Sequence, residues 1–256
     1  GCQGRGRAGR AGVNGQGRSR RRRSARYGRE SPQVAAAKAL NQTLGELGRQ
    51  RKWQEVLRTL SVAKSGGTML NIFNYSCAIS ALGRSRRWRE ALSLLEEMRE
   101  AGIVPNVVSY NAAIDACAKG GQWRRAVSLL GEMREAGIVP DVVSYNTAID
   151  ACAKGGQWWR ARSLLGEMRE AGTLPNVVSY NTAIDACAKG GEWRRALSLL
   201  GEMREAGIVP DVVSYNAAID ACAKGGQWRR AVSLLGEMRE AGIVPDVVSY
   251  NTAIDA

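Results

Sequence analysis

Histidine is absent from the 256 residues, and that absence removes a large part of solution chemistry at neutral pH. Without imidazole there is no side-chain base titrating near pH 7 in its ordinary state, no Ser-His or Cys-His nucleophile pair, and no His-Cys zinc centre of the kind that deaminates bases. Cysteine occurs six times but never as Cys-x-x-Cys, so zinc-ribbon spacing is missing as well. No metal, cofactor or catalytic residue is therefore expected. No apolar run approaches the roughly 20 residues that span a bilayer, and the chain is expected to be soluble. Acids are scarce in the first thirty positions, where Glu30 stands against ten arginines. That Gly/Arg/Ser stretch has no hydrophobic periodicity, so residues 1–36 are expected to form a disordered tail. Its composition suits an organelle-targeting region or an RGG-like arm holding nucleic acid electrostatically, and an upstream linker is the plainer account.

What the sequence does have is repetition. Residues 107–141, VVSYNAAIDACAKGGQWRRAVSLLGEMREAGIVPD, return unchanged as 212–246, with two near copies between them at the same period of 35. A strict period of that length marks a stacked solenoid, each unit a supersecondary hairpin that cannot bury its apolar face alone. The copies run 72–106, 107–141, 142–176, 177–211 and 212–246, followed by a truncated unit, 247–256. One period upstream, 37–71 keeps Trp53 in register with Trp88 and Trp123 and is read as a degenerate first repeat. The stub ends in mid-pattern and the chain lacks an initiating Met, which leads us to expect a fragment of a longer product.

Each repeat divides into two helices. Tyr110, Ala113, Ile114 and Cys117 recur at i, i+3, i+4, i+7, one face of an amphipathic helix. Gly120-Gly121 supplies a turn, after which Trp123, Ala126, Val127, Leu130 and Met133 mark a second stripe. Gly137 closes that helix and Pro140 fixes the connection. The expected fold is an all-α, right-handed α-solenoid of helix-turn-helix repeats over 37–256. Gly131, repeated as Gly166, Gly201 and Gly236, is the local misfit, costing about 1 kcal/mol against Ala; it either allows close packing or leaves the array soft. Cys117, Cys152, Cys187 and Cys222 share one buried-face position. Equivalent helices about 8–10 Å apart cannot be bridged within the ~7 Å Cα limit, so these are expected to be structural thiols in a reducing compartment.

The 35-residue unit, its Val-Val-Ser-Tyr-Asn-Thr opening, the glycine turn, the Glu-Met-Arg-Glu-Ala-Gly ending and the closing Pro-Asp or Pro-Asn together resemble the pentatricopeptide repeat, strongly over 72–256 and weakly over 37–71. The tetratricopeptide repeat, of period 34, fits poorly because Trp opens the second helix here. The resemblance implies single-stranded RNA binding, one base per repeat. It also implies a mitochondrial or plastid setting, with transcripts stabilised, processed, spliced or marked for editing. The implied readers are the fifth and last residues of each repeat, with the second residue clamping the base. Carried onto this sequence, the pairs are Ser76 with Asn106, Asn111 with Asp141, Asn146 with Asn176, Asn181 with Asp211, and Asn216 with Asp246. The clamps are Phe73, Val108, Val143, Val178, Val213 and Val248. The family's pairing preferences imply the site 5′-A-U-(C/U)-U-U-3′. Asn41 with Asn71 is a weaker pair because Lys38 holds the clamp position. Lys119, Lys154, Lys189 and Lys224 end the first helices and are candidate phosphate contacts.

Plainer accounts stand beside these. Asp141, Asn176, Asp211 and Asp246 precede a helix and can act as N-caps. The lysines can simply offset the helix dipole. Trp123 and its equivalents are expected in the core rather than as stacking platforms. Asp115, Asp150, Asp185 and Asp220 form a one-per-repeat ladder rather than a paired acid and base. The leading expectation is thus a monomeric, non-enzymatic RNA-binding adaptor, with other RNA-processing proteins as further partners. A protein-interaction scaffold is the alternative. So is the specificity arm of a longer editing or nuclease enzyme.

Overall fold

The computed structural model describes residues 32–254, which form thirteen helices and no strand. They are α1 (Pro32–Arg49), α2 (Trp53–Ser65), α3 (Ile72–Arg84), α4 (Trp88–Glu100), α5 (Val107–Lys119), α6 (Trp123–Glu135) and α7 (Val142–Lys154). Then follow α8 (Trp158–Glu170), α9 (Val177–Lys189), α10 (Trp193–Glu205), α11 (Val212–Lys224), α12 (Trp228–Glu240) and α13 (Val247–Ile254). The expected start at residue 37 is corrected. α1 begins five positions earlier, because Pro32 is pre-set for the first helical turn and Ala35-Ala36-Ala37 continues it. Residues 32–36 therefore belong to the solenoid, and the remainder of the expected tail lies outside the described residues.

The same local chemistry sets both ends of every unit from α5 onward. Asn106, Asp141, Asn176 and Asp211 adopt extended backbone and cap the first helix through a reciprocal box with the serine three residues on. At the other end Gly121 has φ +71°, and Gln122 N–H donates to Cys117 O at 2.8 Å, closing a Schellman turn. The second helix stops the same way at Gly137, φ +72°, with Ile138 N–H on Met133 O at 2.9 Å.

Each first helix packs on its own second helix, on the next first helix and on the second helix of the preceding unit, whereas the backbones of successive second helices stay further apart and are linked by side-chain ion pairs. The first helices therefore make one inner row and the second helices an outer one. No element reaches a repeat two units away, so the array is one-dimensional, as a solenoid requires. Between the rows lie Tyr110, Ile114, Cys117, Leu129 and Met133, buried together with their counterparts throughout residues 72–246, whereas Tyr250 and Ile254 in the truncated last unit are exposed. An ordered polar seam stitches the units together. Arg134 donates to the hydroxyl of buried Tyr145 at 2.6 Å and pairs with Glu167 at 3.5 Å, and Arg204 repeats this with Tyr215 and Glu237.

Gly131 turns out to make no close contact. A Cβ built there, or at Gly166, Gly201 or Gly236, meets no atom within 4 Å beyond its own turn. Gly120 and its equivalents behave oppositely: a Cβ at Gly155 would lie 2.6 Å from Trp123 Cδ1. Trp123 is thus half-buried, edge-on against the next repeat's turn and capped by Arg124 at 4.4 Å.

Candidate nucleic-acid interface

The inner row exposes one stripe per first helix. Phe73, Val108, Val143, Val178, Val213 and Val248 are 56–68 % exposed, although in the five units before the last the Tyr and Ile on the opposite face are buried. One turn along lie Asn111, Asn146 and Asn181, half-buried. An apolar side chain left in water at the same place in six units, beside a polar one, forms a row of mixed apolar and hydrogen-bonding ledges.

The fifth and last residues of a repeat are brought together. Asn111 Nδ2 donates to Asp141 Oδ1 at 3.1 Å, Asn181 to Asp211 at 3.0 Å, and Asn216 to Asp246 at 3.2 Å. Between them sits a serine that the sequence pattern alone does not single out. The Ser144 hydroxyl is 2.6 Å from Asn111 Oδ1 and 2.9 Å from Asp141 Oδ1, while its N–H donates to Asp141 at 2.8 Å. Ser214 and Ser249 repeat the arrangement. The signal is present as Asp-x-x-Ser, a capping-box spacing, but that spacing says nothing about a partner 33 residues away. The expected capping role and the pairing are therefore both realised in one carboxylate.

This latch leaves a defined remainder. Asn111 retains one amide N–H, and Asp141 retains Oδ2. Burial pushes the Asp141 carboxyl up, but the Ser144 N–H, the Asn111 amide and the Ser144 hydroxyl outweigh it and hold the pKa below the usual aspartate value. Asp211 follows the same balance with Ser214 and Asn181. Each such unit presents a free donor beside an ionised acceptor.

Two repeats differ. In 142–176 the Asn146 Nδ2 to Asn176 Oδ1 separation is 3.5 Å, and Asn146 Oδ1 is buried without a partner, alone in this among the described side-chain polar atoms. A neutral amide replaces the carboxylate, and Ser179 turns to Asn176 instead. Ser76 departs further from expectation. It is 7 % exposed and its hydroxyl is 2.8 Å from Ser109 Oγ, so it is not paired with Asn106. Serine is too short to cross to the cap, and Asn106 closes only its own box with Ser109. In the first repeat Asn41 Oδ1 is occupied by Asn74 Nδ2 at 2.7 Å.

Lys119, Lys154, Lys189 and Lys224 reach Asp115, Asp150, Asp185 and Asp220 at 2.5–2.6 Å, one turn back on the same helix. The carboxylate ladder is thus tied up in ion pairs, and each lysine brings little net charge to the face. Burial pushes the thiols of Cys117 and Cys152 up to about 12 and Cys187 to about 11, and all are free. They are packed, unreactive groups.

Five overlapping segments, residues 70–119, 105–154, 140–189, 175–224 and 210–256, match the PPR repeat family. The chain belongs to that family. Among solved structures this PPR chain is similar to the pentatricopeptide repeat protein PPR10 from maize, at 32% identity over 84% of this chain and 31% of that one, TM-score 0.69. It is likewise similar to PPR10 in complex with an 18-nt psaJ RNA element, at 31% identity, 85% and 36% coverage, and TM-score 0.65. The PPR domain of Arabidopsis thaliana protein-only RNase P 1 in complex with tRNA shares the fold, at 15% identity, 72% and 97% coverage, and TM-score 0.60. The PPR chain spans about a third of the length of PPR10. No match was found among curated proteins.

Proposed function

We propose that this PPR solenoid binds single-stranded RNA along its inner row, one nucleotide per repeat, as an adaptor without a catalytic step of its own. The observation that carries the reading is the latch. Four successive repeats hold an Asn amide against the next unit's Asx cap, with an exposed valine alongside. PPR10, crystallised with an 18-nt RNA, supports the ligand class. A free N–H beside an ionised oxygen complements an edge offering an acceptor next to a donor, as uracil does at its carbonyls and N3–H. The orphan Asn146 acceptor favours a base with an amino group, which is cytosine among pyrimidines. The preferred core is therefore U-(C/U)-U-U, with the buried Ser76 adding no adenine contact of comparable kind. The Arg-rich, acid-poor N-terminus favours a mitochondrial or plastid transcript.

The test is the paired substitution Asn181→Thr with Asp211→Asn, assayed by competition between RNAs that differ at one nucleotide at fixed salt. Preference there should move from uracil toward adenine by about 1–3 kcal/mol, by analogy with base-edge readout, leaving neighbouring positions unchanged. Equal loss for all four bases would show that the latch only braces the helices. Unchanged binding by the variant would favour a protein-binding scaffold.

A further inference from the structure

The first two repeats break the electrostatic rule of the others, and they break it at one place. In α5, α7, α9 and α11 the terminal lysine is neutralised by an aspartate one turn earlier. In α1 and α3 the terminal cation is Arg49 or Arg84, and the position one turn earlier holds Gly45 or Ser80. Neither arginine is in an ion pair among the described residues. The turn that follows departs in parallel. Where later units have glycine with positive φ, these have Arg51 and Arg86, both at φ +57°, a conformation disfavoured for any residue with a Cβ. Packing then gathers the charges. Gly48 lies so close to the next helix that a Cβ would be 2.7 Å from Ala81 Cβ, and a Cβ on Gly83 would be 3.1 Å from Ala116. The result is a cleft of about 460 Å³ lined by Gly48, Arg49, Arg51, Arg84, Arg86 and Lys119, with no carboxylate in its wall. Four guanidinium groups, none in an ion pair among the described residues, crowd this cleft and repel one another until an anion enters, and planar guanidinium groups suit phosphate oxygens.

We propose that this cleft is a phosphate site that grips the backbone of the bound RNA beyond the nucleotides whose bases are read, adding affinity without adding sequence preference. The proposal rests on the RNA-binding reading above. Base ledges select, while phosphate contacts hold. The chain places its uncompensated arginines at the end of the array where the base-reading latch is missing.

The experiment uses the full chain and the variant Arg51→Gly with Arg86→Gly, which restores the residue found in the later turns and relieves two disfavoured backbone conformations. A second variant, Arg49→Gln with Arg84→Gln, leaves the turns untouched. A third, Arg124→Gln with Arg229→Gln, removes equal charge from exposed outer helices. Fluorescence anisotropy titrations with a U-C-U-U-containing RNA and a single-mismatch RNA are run from about 50 to 300 mM salt, the range over which phosphate binding weakens steeply. Each of the first two variants should bind both RNAs roughly tenfold more weakly at about 150 mM salt. The slope of log K against log salt should flatten by about 0.7 for each phosphate that the variant no longer neutralises. The third should stay close to the parent. Slopes unchanged in the first two variants, or an equal weakening in all three, would overturn the site. If the parent fails to distinguish the two RNAs while the first two variants still flatten the slope, the base-reading proposal fails and the phosphate site stands.

Discussion

Replacing Gly131, Gly166, Gly201 and Gly236 together by alanine should make the protein markedly more stable, and the expected gain can be worked from the local structure. Each glycine lies in the middle of a second helix, where alanine is favoured by about 0.8–1.0 kcal/mol. That benefit disappears only if the added methyl group collides, and at all four positions the space around an ideal Cβ is empty to 4 Å apart from the helix's own backbone. The protein already contains the control, because Glu96 occupies the equivalent place in α4 and is exposed there. The sites are one repeat apart and share no partner, so the effects should add to about 3–4 kcal/mol. For a chain of this size that corresponds to roughly 10 °C in Tm. Urea titration followed by far-ultraviolet circular dichroism would measure it as a rise in midpoint at unchanged slope. A quadruple variant no more stable than the parent would refute the argument, since neither propensity nor packing would leave anything to cancel the gain.

The neighbouring glycines predict the opposite sign. Gly155→Ala should cost about 1–3 kcal/mol in the same titration, because its methyl group must displace Trp123. Acid should loosen the array through its caps: the folded pKa values of Asp141, Asp211 and Asp246 are depressed, so their contribution is complete above the ordinary aspartate pKa of about 3.8 and fades as pH falls through the lower folded values. Asp141→Asn with Asp211→Asn and Asp246→Asn should therefore flatten the dependence of the urea midpoint on pH between about 5 and 2. A dependence as steep as the parent's would show that these carboxylates are not the groups responsible.

Much of the fold is legible in the sequence because period and periodicity are local properties. The two stripes, the Asx caps and the Gly-Pro punctuation each act within a few residues, and they produce helices where the pattern places them. What escapes is everything whose cause lies in the adjacent unit. Gly120 and Gly121 look like one turn signal, yet Gly121 is needed for its φ of +71° and Gly120 because Trp88 of the preceding repeat rests on it. Ser144 looks like half of a capping box, yet it also holds Asn111 across 33 residues of chain. Ser76 looks like another reader until its depth is known. Pro32 shows a smaller miss of the same type, since a composition shift marks where repeats become regular and not where a helix can begin.

Among near-identical repeats, recurrence says little about use, since duplication copies useful and indifferent side chains alike. Departures from the repeat carry more information, because each is a change that the array tolerates against its own template. Three departures coincide in the first two units: the missing aspartate at Gly45 and Ser80, the glycine at Gly48 and Gly83 where later units have alanine, and the arginine at Arg51 and Arg86 in a turn built for glycine. The first leaves a charge uncompensated, the second draws neighbouring helices together, and the third adds further charge in a backbone conformation that resists it. For folding alone the first and third are unfavourable, and the second increases the backbone entropy surrendered on folding. Their convergence on one carboxylate-free cleft is accounted for by an anion that the later repeats, with their lysines already paired, have less need to hold.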